Sequence, residues 1–574
     1  MESNLKWLRS CDLLIQNAYV FESALCRFVQ KDVAVKDGLI VDVDKALALD
    51  SQKTLDGSGK YLIPGLVDIH MHIESSMTWP GAFYKQALRW GTTTLVADPH
   101  EIANVAGLEG IHEMISNALS LDIFFGIPSS VPSTREDLET TGGILDEGEV
   151  SELLKDPHMR CLGEVMNFND LKQEDSKTRR LIQLCKQMRP DFLIEGHCPK
   201  LTGQDLSIYL AAGVDADHTH QTPASILEKA AKGMFLEIQD KSVTLENVQT
   251  LVTHALYDHF CFVTDDCMAD KLYAKGHLNE VVKKAMAYGM PQTQAIYCAT
   301  YTPARRMHLD DRGMIAPGKK ADLVLLRDIA SWQIEAVFKD GKPIASYPIP
   351  EASFSLSLYH SIHLDPLTEE IFQLHGYQGK AVQANVMVIE PHSTFTHRVI
   401  ESIPIINGQI AYEKVGLNLV MVFERYGKNG QHAFGFVRNA LQSSAALATS
   451  WAHDHHNLMV MGNDAKKMCK IANQVIACQG GYGIVDDHGQ AMVHLPVGGI
   501  ISDGPLAVTA SELEEVTRRM RQAGYVHDHP IMSFATLSLP VSPELKITDA
   551  GLIDCRRQQI IPCIERVLTD EDND

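Results

Sequence analysis

The spacing of hydrophobic residues changes character twice along the chain. Between residues 12 and 62, the stretches DLLIQNAYV, DVAVKDGLIVDVD and KTLDGSGKYLI alternate apolar and polar positions around Asp-Gly and Gly-Ser-Gly turns. That pattern predicts the short strands of a small β unit. From residue 66 the apolar runs become nearly continuous and alternate with amphipathic stretches, as in a parallel sheet covered on both faces. The predicted strands are LVDIH (66–70), TTLVAD (93–98), IFFGIP (123–128), CLGEVM (161–166), FLIEGH (192–197), VDADH (214–218), MFLEIQ (234–239) and FCFVTD (260–265). Helical patterns such as ANVAGLEGIHEMISNAL, SKTRRLIQLCKQM and TLENVQTLVTHAL lie between most of them, and Thr202 and Asp205 are spaced like a capping box. Eight such units over about 250 residues predict an α/β fold, a (β/α)8 TIM-like barrel. An open doubly wound sheet is the alternative, and eight units are many for one.

Past the barrel, DDRGMIAPGKKADLVLLRD turns through Gly-Pro-Gly-type residues into another apolar strand. It is expected to rejoin the first β unit, giving a split small β-sandwich domain over 1–63 and 313–346 around a barrel at 64–312. Residues 347–374 are rich in proline, lack a period and are expected to be a connector. Residues 375–574 read as a C-terminal α+β domain, with AVQANVMVIE and IPIINGQIAY as strands and ALQSSAALATS and AKKMCKIANQVIA as helices.

A chain of 574 residues, 45% hydrophobic and 22% charged, is ordinary for a multi-domain globular protein. Its net charge of −22 disfavours nucleic acid and anionic membranes as partners. No apolar run approaches a membrane span, and MESNLKWLRSCDLLIQ lacks a basic-then-apolar signal pattern. The twelve cysteines show no C-x-x-C pair and read as reduced thiols, so a cytoplasmic location is expected.

Chemistry concentrates at the predicted strand ends, where barrel enzymes carry their working residues. Strand one ends at His70 and His72, strand four contains Glu164, strand five ends at His197, strand six at His218, and strand eight at Asp265. Buried unpaired, these side chains would be costly, so ligand roles are favoured over core roles. Together they match the ligand set of a two-metal site bridged by a carboxylate. A divalent ion lowers the pKa of bound water from about 16 to about 7, and Asp265 is placed to accept that water's proton. The reaction class is metal-assisted hydrolysis at an sp² carbon. His220 divides evenly between ligand, outer partner and surface. Asp98, His100 and Glu101 at the end of strand two read as outer partners or substrate contacts, with a turn at Pro99 as the structural alternative.

PGLVDIHMH, the strand-four Glu, the strand-five and strand-six His and the strand-eight Asp resemble the amidohydrolase superfamily. Within it, HIESSM, VADPHEIANVAG, GEVMNF, EGHCPKLTGQDL and TDD are similar to segments of the adenine deaminase family, and WAHDHHNLMVMGND and HLPVGGIIS to its C-terminal domain. The resemblance implies hydrolysis of adenine to hypoxanthine and ammonia in purine salvage, by metal-activated hydroxide at purine C6. It implies two divalent ions, Mn first, with Fe or Zn as alternatives. His70, His72 and Asp265 would hold one ion and His197 and His218 the other, with Glu164 bridging. Asp265 would shuttle the proton to the leaving amino group, and Asp240, Glu74 or Glu101 would protonate the ring nitrogen. Asp98, His100, Glu101 and Ser242 are the expected substrate contacts. A homodimer acting on a small-molecule purine is expected. The chain departs from the family at Thr219–His220, where a Glu is usual at 219, and at Gln239-Asp240-Lys241-Ser242, where Arg-Glu-Gly-Ser is usual. His455 in HDHHN replaces a common Ser. His453, Asp454, His455 and His456 are expected to reach a neighbouring pocket, to bind an adventitious ion or to lie in a solvated surface loop. A deaminase of another purine or a pterin, a cyclic-amide hydrolase and a non-catalytic scaffold are the alternative functions.

Overall fold

The computed structural model describes residues 10–569. Five strands between Ser10 and Pro64 and three between Leu323 and Pro343 share one eight-stranded sheet. The join is antiparallel: Leu323–Asp328 runs beside Tyr61–Pro64, with Leu325 opposite Leu62. Alternate apolar residues, among them Ile15, Val20, Val33, Leu62 and Leu323, form its core.

Between those two segments lies a TIM-like barrel. Leu66–His72, Thr92–Ala97, Ile123–Ile127, Met159–Val165 and Leu193–Gly196 pair in parallel, in chain order, and Ala216–Asp217, Phe235–Ile238 and Phe260–Phe262 form a second parallel set. The chain just past the eighth strand closes the ring, because Asp265–Asp266 pairs in parallel with Met71–His72. Between strands five and six the connection is a single backbone bond, Asp215 N–H to the Ile194 carbonyl at 3.1 Å, and the Cys198 N–H donates to Asp217 Oδ1 at 2.9 Å. Every residue of Leu66–His72 is buried, as expected of a strand covered on both faces. Val67, Ile69, Val96, Cys161, Leu193, Cys261 and Val263 fill one apolar cluster closed by Ala304, Met307 and Leu309. The barrel is therefore a packed core rather than a pore, and its chemistry is confined to one rim.

Residues 347–374 carry only two short 3-10 turns, Leu358–His360 and Glu369–Phe372. Beyond them a ten-stranded sheet runs from Gln409–Ile410 at one edge to Gly489–His494 at the other. Helices Ala465–Ala477 and Leu506–Gln522 pack on it, and the second also packs on the barrel helix Ala269–Ala274. A single apolar cluster joins Met71, Phe83 and Ile102 of the barrel region to Trp451, Val497 and Ile500. The ALQSSAALATS stretch, helical by propensity, is instead strand over Ala446–Thr449, flanked on both sides by paired strands. Its small side chains are wholly buried beneath helix Ala465–Ala477, so sheet packing overrides the alanine preference.

Candidate metal centre

The first barrel strand delivers His70 and His72 to one carboxylate. His72 Nε2 lies 2.8 Å from Glu164 Oε1, and His70 Nε2 lies 3.3 Å from the same oxygen. His72 Nδ1 is 3.0 Å from the Asp98 carbonyl, which only accepts. The Nδ1 proton is thereby fixed, and a neutral His72 points its Nε2 lone pair at a carboxylate oxygen. That approach is repulsive unless a cation or a proton stands between them. Asp265 Oδ1 completes this half, 3.5 Å from His72 Nε2 and 4.0 Å from His70 Nε2.

The second oxygen of Glu164 faces the other half. Oε2 lies 2.8 Å from His197 Nδ1 and 3.7 Å from His218 Nε2, and those two nitrogens are 3.2 Å apart. Burial, reinforced by His70, draws His218 down to about 3, so it stands there as a neutral donor. His70 Nε2 is buried without a hydrogen-bond partner. Imidazoles and carboxylates converging in this way suit divalent Mn, Fe or Zn, so the residues present fit a pair of such ions. The side chains of His70, His72 and Glu164 are almost sealed, whereas that of His197 is 37% exposed, so the centre opens past His197.

Groups that face away from the centre hold its converging side chains in place. The Glu164 N–H donates to Asp98 Oδ2 at 3.0 Å, and the Ser129 and Ser130 hydroxyls donate to the Glu164 carbonyl at 2.6 and 3.1 Å. Residue 163 has to be glycine, because a Cβ there would stand 2.1 Å from Asp98 Oδ2. The Gln239 amide donates to Asp265 Oδ2 at 2.7 Å and to the His218 carbonyl at 3.0 Å. Asp265 has φ 57°, a left-handed conformation that costs a non-glycine residue about 1–2 kcal/mol. Asp217, beside His218, is not itself among the converging ligands. It accepts from Lys229 Nζ at 2.6 Å and from the Thr219 hydroxyl at 2.9 and 3.0 Å, so threonine at 219 is absorbed into the support of the sixth strand.

The remaining expected residues are distributed unevenly. His100 packs its ring edge-on to His72, centroids 4.6 Å apart. Glu74 is fully buried; its Oε1 accepts from the Ile102 N–H at 3.3 Å, its Oε2 has no partner, and burial pushes its carboxyl up to about 7. Asp240 instead pairs with Lys271 and Lys284, both at 3.1 Å, and Ser242 accepts the Gln221 N–H at 2.9 Å. Neither makes a contact with the converging ligands. Glu101 is gripped by His453 and His456 of the C-terminal sheet, and the Trp451 indole N–H donates to the Glu74 carbonyl at 3.1 Å. Of the sequence expectations for His453–His456, the solvated loop is excluded: all four residues are buried. Sequence reasoning passed over Ser129, Ser130 and Gly163 and gave Gln239 no partner; a Gly-Glu pair inside a strand was the available signal.

Comparison with known proteins finds relatives that span the chain. Residues 61–344 match the amidohydrolase family model and residues 393–559 the adenine deaminase C-terminal domain model. An adenine deaminase of Clostridium perfringens is 46% identical over 573 residues, covering 97% of this chain and 99% of that protein. Adenine deaminase 2 of Oenococcus oeni is 44% identical, covering 96% and 98%. An adenine deaminase of Lysinibacillus sphaericus is 34% identical, covering 95% and 94%.

Proposed function

Because the chain belongs to the adenine deaminase family, we propose that it hydrolyses adenine to hypoxanthine and ammonia at a pair of divalent ions, in purine salvage. The observation that carries this reading is the division of labour on Glu164: one oxygen faces His70, His72 and Asp265, the other His197 and His218. We assign these residues as the ligands and Glu164 as the bridge, with Mn the expected metal and Fe or Zn as alternatives. Bound there, the ions would supply the Lewis acidity that brings the pKa of water to about 7.

The chain's own residues then manage protons and orientation. Asp265, ionised and held by Gln239, takes a proton from the attacking water and delivers it to the departing amino group as the C6–O bond forms and the C6–N bond breaks. Glu74, whose carboxyl burial keeps protonated toward neutral pH, lends a proton to the ring nitrogen next to C6, which makes that carbon electrophilic. It takes one back from the C6 hydroxyl as the carbonyl forms, so that one water proton leaves on ammonia and the other replaces the proton left on the ring. Asp98 positions both halves, accepting the Glu164 N–H on its side chain and the His72 Nδ1–H on its carbonyl.

In the same reading the chain works as a cytoplasmic homodimer, and its twelve unpaired cysteines fit a reducing compartment. Its units are the split β domain over 1–63 and 313–346, the catalytic barrel over 64–312, the connector over 347–374 and the C-terminal domain over 375–574. The deciding experiment is ammonia release from adenine by protein reconstituted with Mn(II), beside metal-stripped protein and a His70→Asn variant. Turnover confined to the Mn-loaded wild type is the expected result. Two bound ions with no adenine turnover would refute adenine as the substrate.

A further inference from the structure

A second set of ligand-type side chains sits where the C-terminal sheet meets the barrel. His100 and Glu101 open the helix His100–Ser116 that follows the second barrel strand. His453 and Asp454 come from the loop joining strands Ala446–Thr449 and Leu458–Gly462. All four are buried, at 6%, 1%, 6% and 3% exposure respectively. Glu101 Oε1 lies 3.6 Å from His100 Nε2 and in close contact with His453 Nδ1. Asp454 Oδ1 lies 3.5 Å from His453 Nδ1 and 4.0 Å from His100 Nε2. Ligands bonded at about 2.0–2.2 Å around a tetrahedral ion stand about 3.3–3.6 Å apart. Three of these four spacings approach that value without the residues belonging to one strand, helix or loop, and Glu101 Oε1 and His453 Nδ1, now in direct contact, would part to admit an ion.

The local charge balance points the same way. Two carboxylates are withdrawn from water here, and Asp454 Oδ2, His100 Nδ1 and His453 Nε2 have no hydrogen-bond partner. Glu101 is answered by His453 and His456, whereas Asp454 has only His453 and His100 beside it, at 3.5 and 4.0 Å, which is weak compensation for a carboxylate withdrawn from water. His456 is committed to the far oxygen of Glu101, and the Glu101 oxygen nearest Asp454 is itself an acceptor. A divalent cation among the four atoms would satisfy both acids at once.

We propose that His100 Nε2, Glu101 Oε1, His453 Nδ1 and Asp454 Oδ1 form a third divalent-cation site, one that clamps the C-terminal sheet onto the barrel. It shares no ligand with the centre built on Glu164. The two communicate through Asp98, whose Oδ1 lies 3.8 Å from His100 Nδ1 while its Oδ2 accepts the Glu164 N–H. The site depends on no particular substrate, so its test is separable from that of adenine deamination.

The test uses the full chain, loaded with Mn(II), dialysed against metal-free buffer, and examined by elemental analysis and by anomalous diffraction at the Mn edge. Three Mn per chain are expected, with an anomalous peak within bonding distance of the four named atoms. A double variant, His453→Gln with Asp454→Asn, should retain two Mn and lose that peak, whereas His70→Asn should keep it. Wild-type crystals with Mn at the Glu164 centre and no peak at the seam would overturn the proposal and leave a proton-shared histidine–carboxylate network in its place.

Discussion

Replacing Gln239 with leucine isolates one hydrogen bond on which the proposed chemistry depends. The Gln239 side chain is buried, and its amide donates to Asp265 Oδ2 at 2.7 Å and to the His218 carbonyl at 3.0 Å. A bond from a neutral donor to a carboxylate is worth about 1.5–3 kcal/mol. If that stabilisation is needed while Asp265 exchanges a proton, its loss corresponds to about a 10- to 150-fold fall in kcat. Leucine has nearly the same volume, so packing is conserved. The unpaired His218 carbonyl adds about 1–3 kcal/mol of destabilisation, which a thermal unfolding scan reads separately. KM for adenine should move much less than kcat, since the bond acts on the proton carrier rather than on the substrate. The assay is steady-state ammonia release at saturating Mn(II), with metal content measured on the same samples. A leucine variant that keeps two Mn at the Glu164 centre and a kcat within threefold of wild type would refute the claim that Gln239 orients Asp265. Gln239→Glu should be worse than leucine, because a second carboxylate would face the first.

Three further outcomes are expected. Glu164→Gln should weaken Mn binding in both halves of the centre, by more than the roughly 10- to 100-fold lost when only an outer partner is removed; unchanged stoichiometry after chelator challenge would show that Glu164 does not bridge. Gly163→Ala should lower the unfolding temperature and reduce turnover together, since its Cβ would stand 2.1 Å from Asp98 Oδ2 and relieving such overpacking costs about 1–3 kcal/mol; wild-type turnover would place the Asp98 contact outside the mechanism. Lys546 is wholly buried, its ammonium bonded to the Thr394 carbonyl at 2.8 Å, and burial, partly offset by Cys555, lowers its pKa from 10.5 to about 8. Between those two values the unfolded chain binds more protons than the folded one, so stability should rise with pH through that window. At pH 7 the charge opposes folding by about 3 kcal/mol on this shift, and Lys546→Met should raise the urea midpoint there and flatten the rise above pH 8. A midpoint lowered at pH 7 would contradict the sign.

What was legible in the sequence was whatever a single element carries. His70 and His72 stood out because two imidazoles end an otherwise apolar strand, and Glu164 because an acid interrupts another. The eight-strand rhythm gave the barrel for the same reason: each unit announces itself over a few residues. The partners of those residues did not stand out. Gln239 meets Asp265 because the seventh and eighth strand ends come side by side, 26 positions apart. His456 meets Glu101 across 355 positions, and nothing in HDHHN distinguishes a buried clamp from a solvated loop. ALQSSAALATS failed in the opposite direction: its local preference was clear, and the sheet around it outweighed that preference.

The C-terminal sheet is more than an appended unit, because a loop between its strands closes on an acid of the barrel. Glu101 lies at the start of a barrel helix, yet both of its oxygens are taken by histidines from the distant loop. Trp451, wholly buried, donates to the backbone of Glu74, and burying a side chain of that size contributes about 3 kcal/mol to the contact. A barrel cut away before residue 375 would therefore expose Glu101, free the Glu74 segment and loosen His100, which packs against His72. The proposed metal centre and the domain packing are joined through a run of contacts, from His72 through Asp98 and His100 to Glu101 and His453. Substitutions in the C-terminal loop should for that reason act on the barrel's chemistry although no residue of the loop lies among the side chains that converge on Glu164.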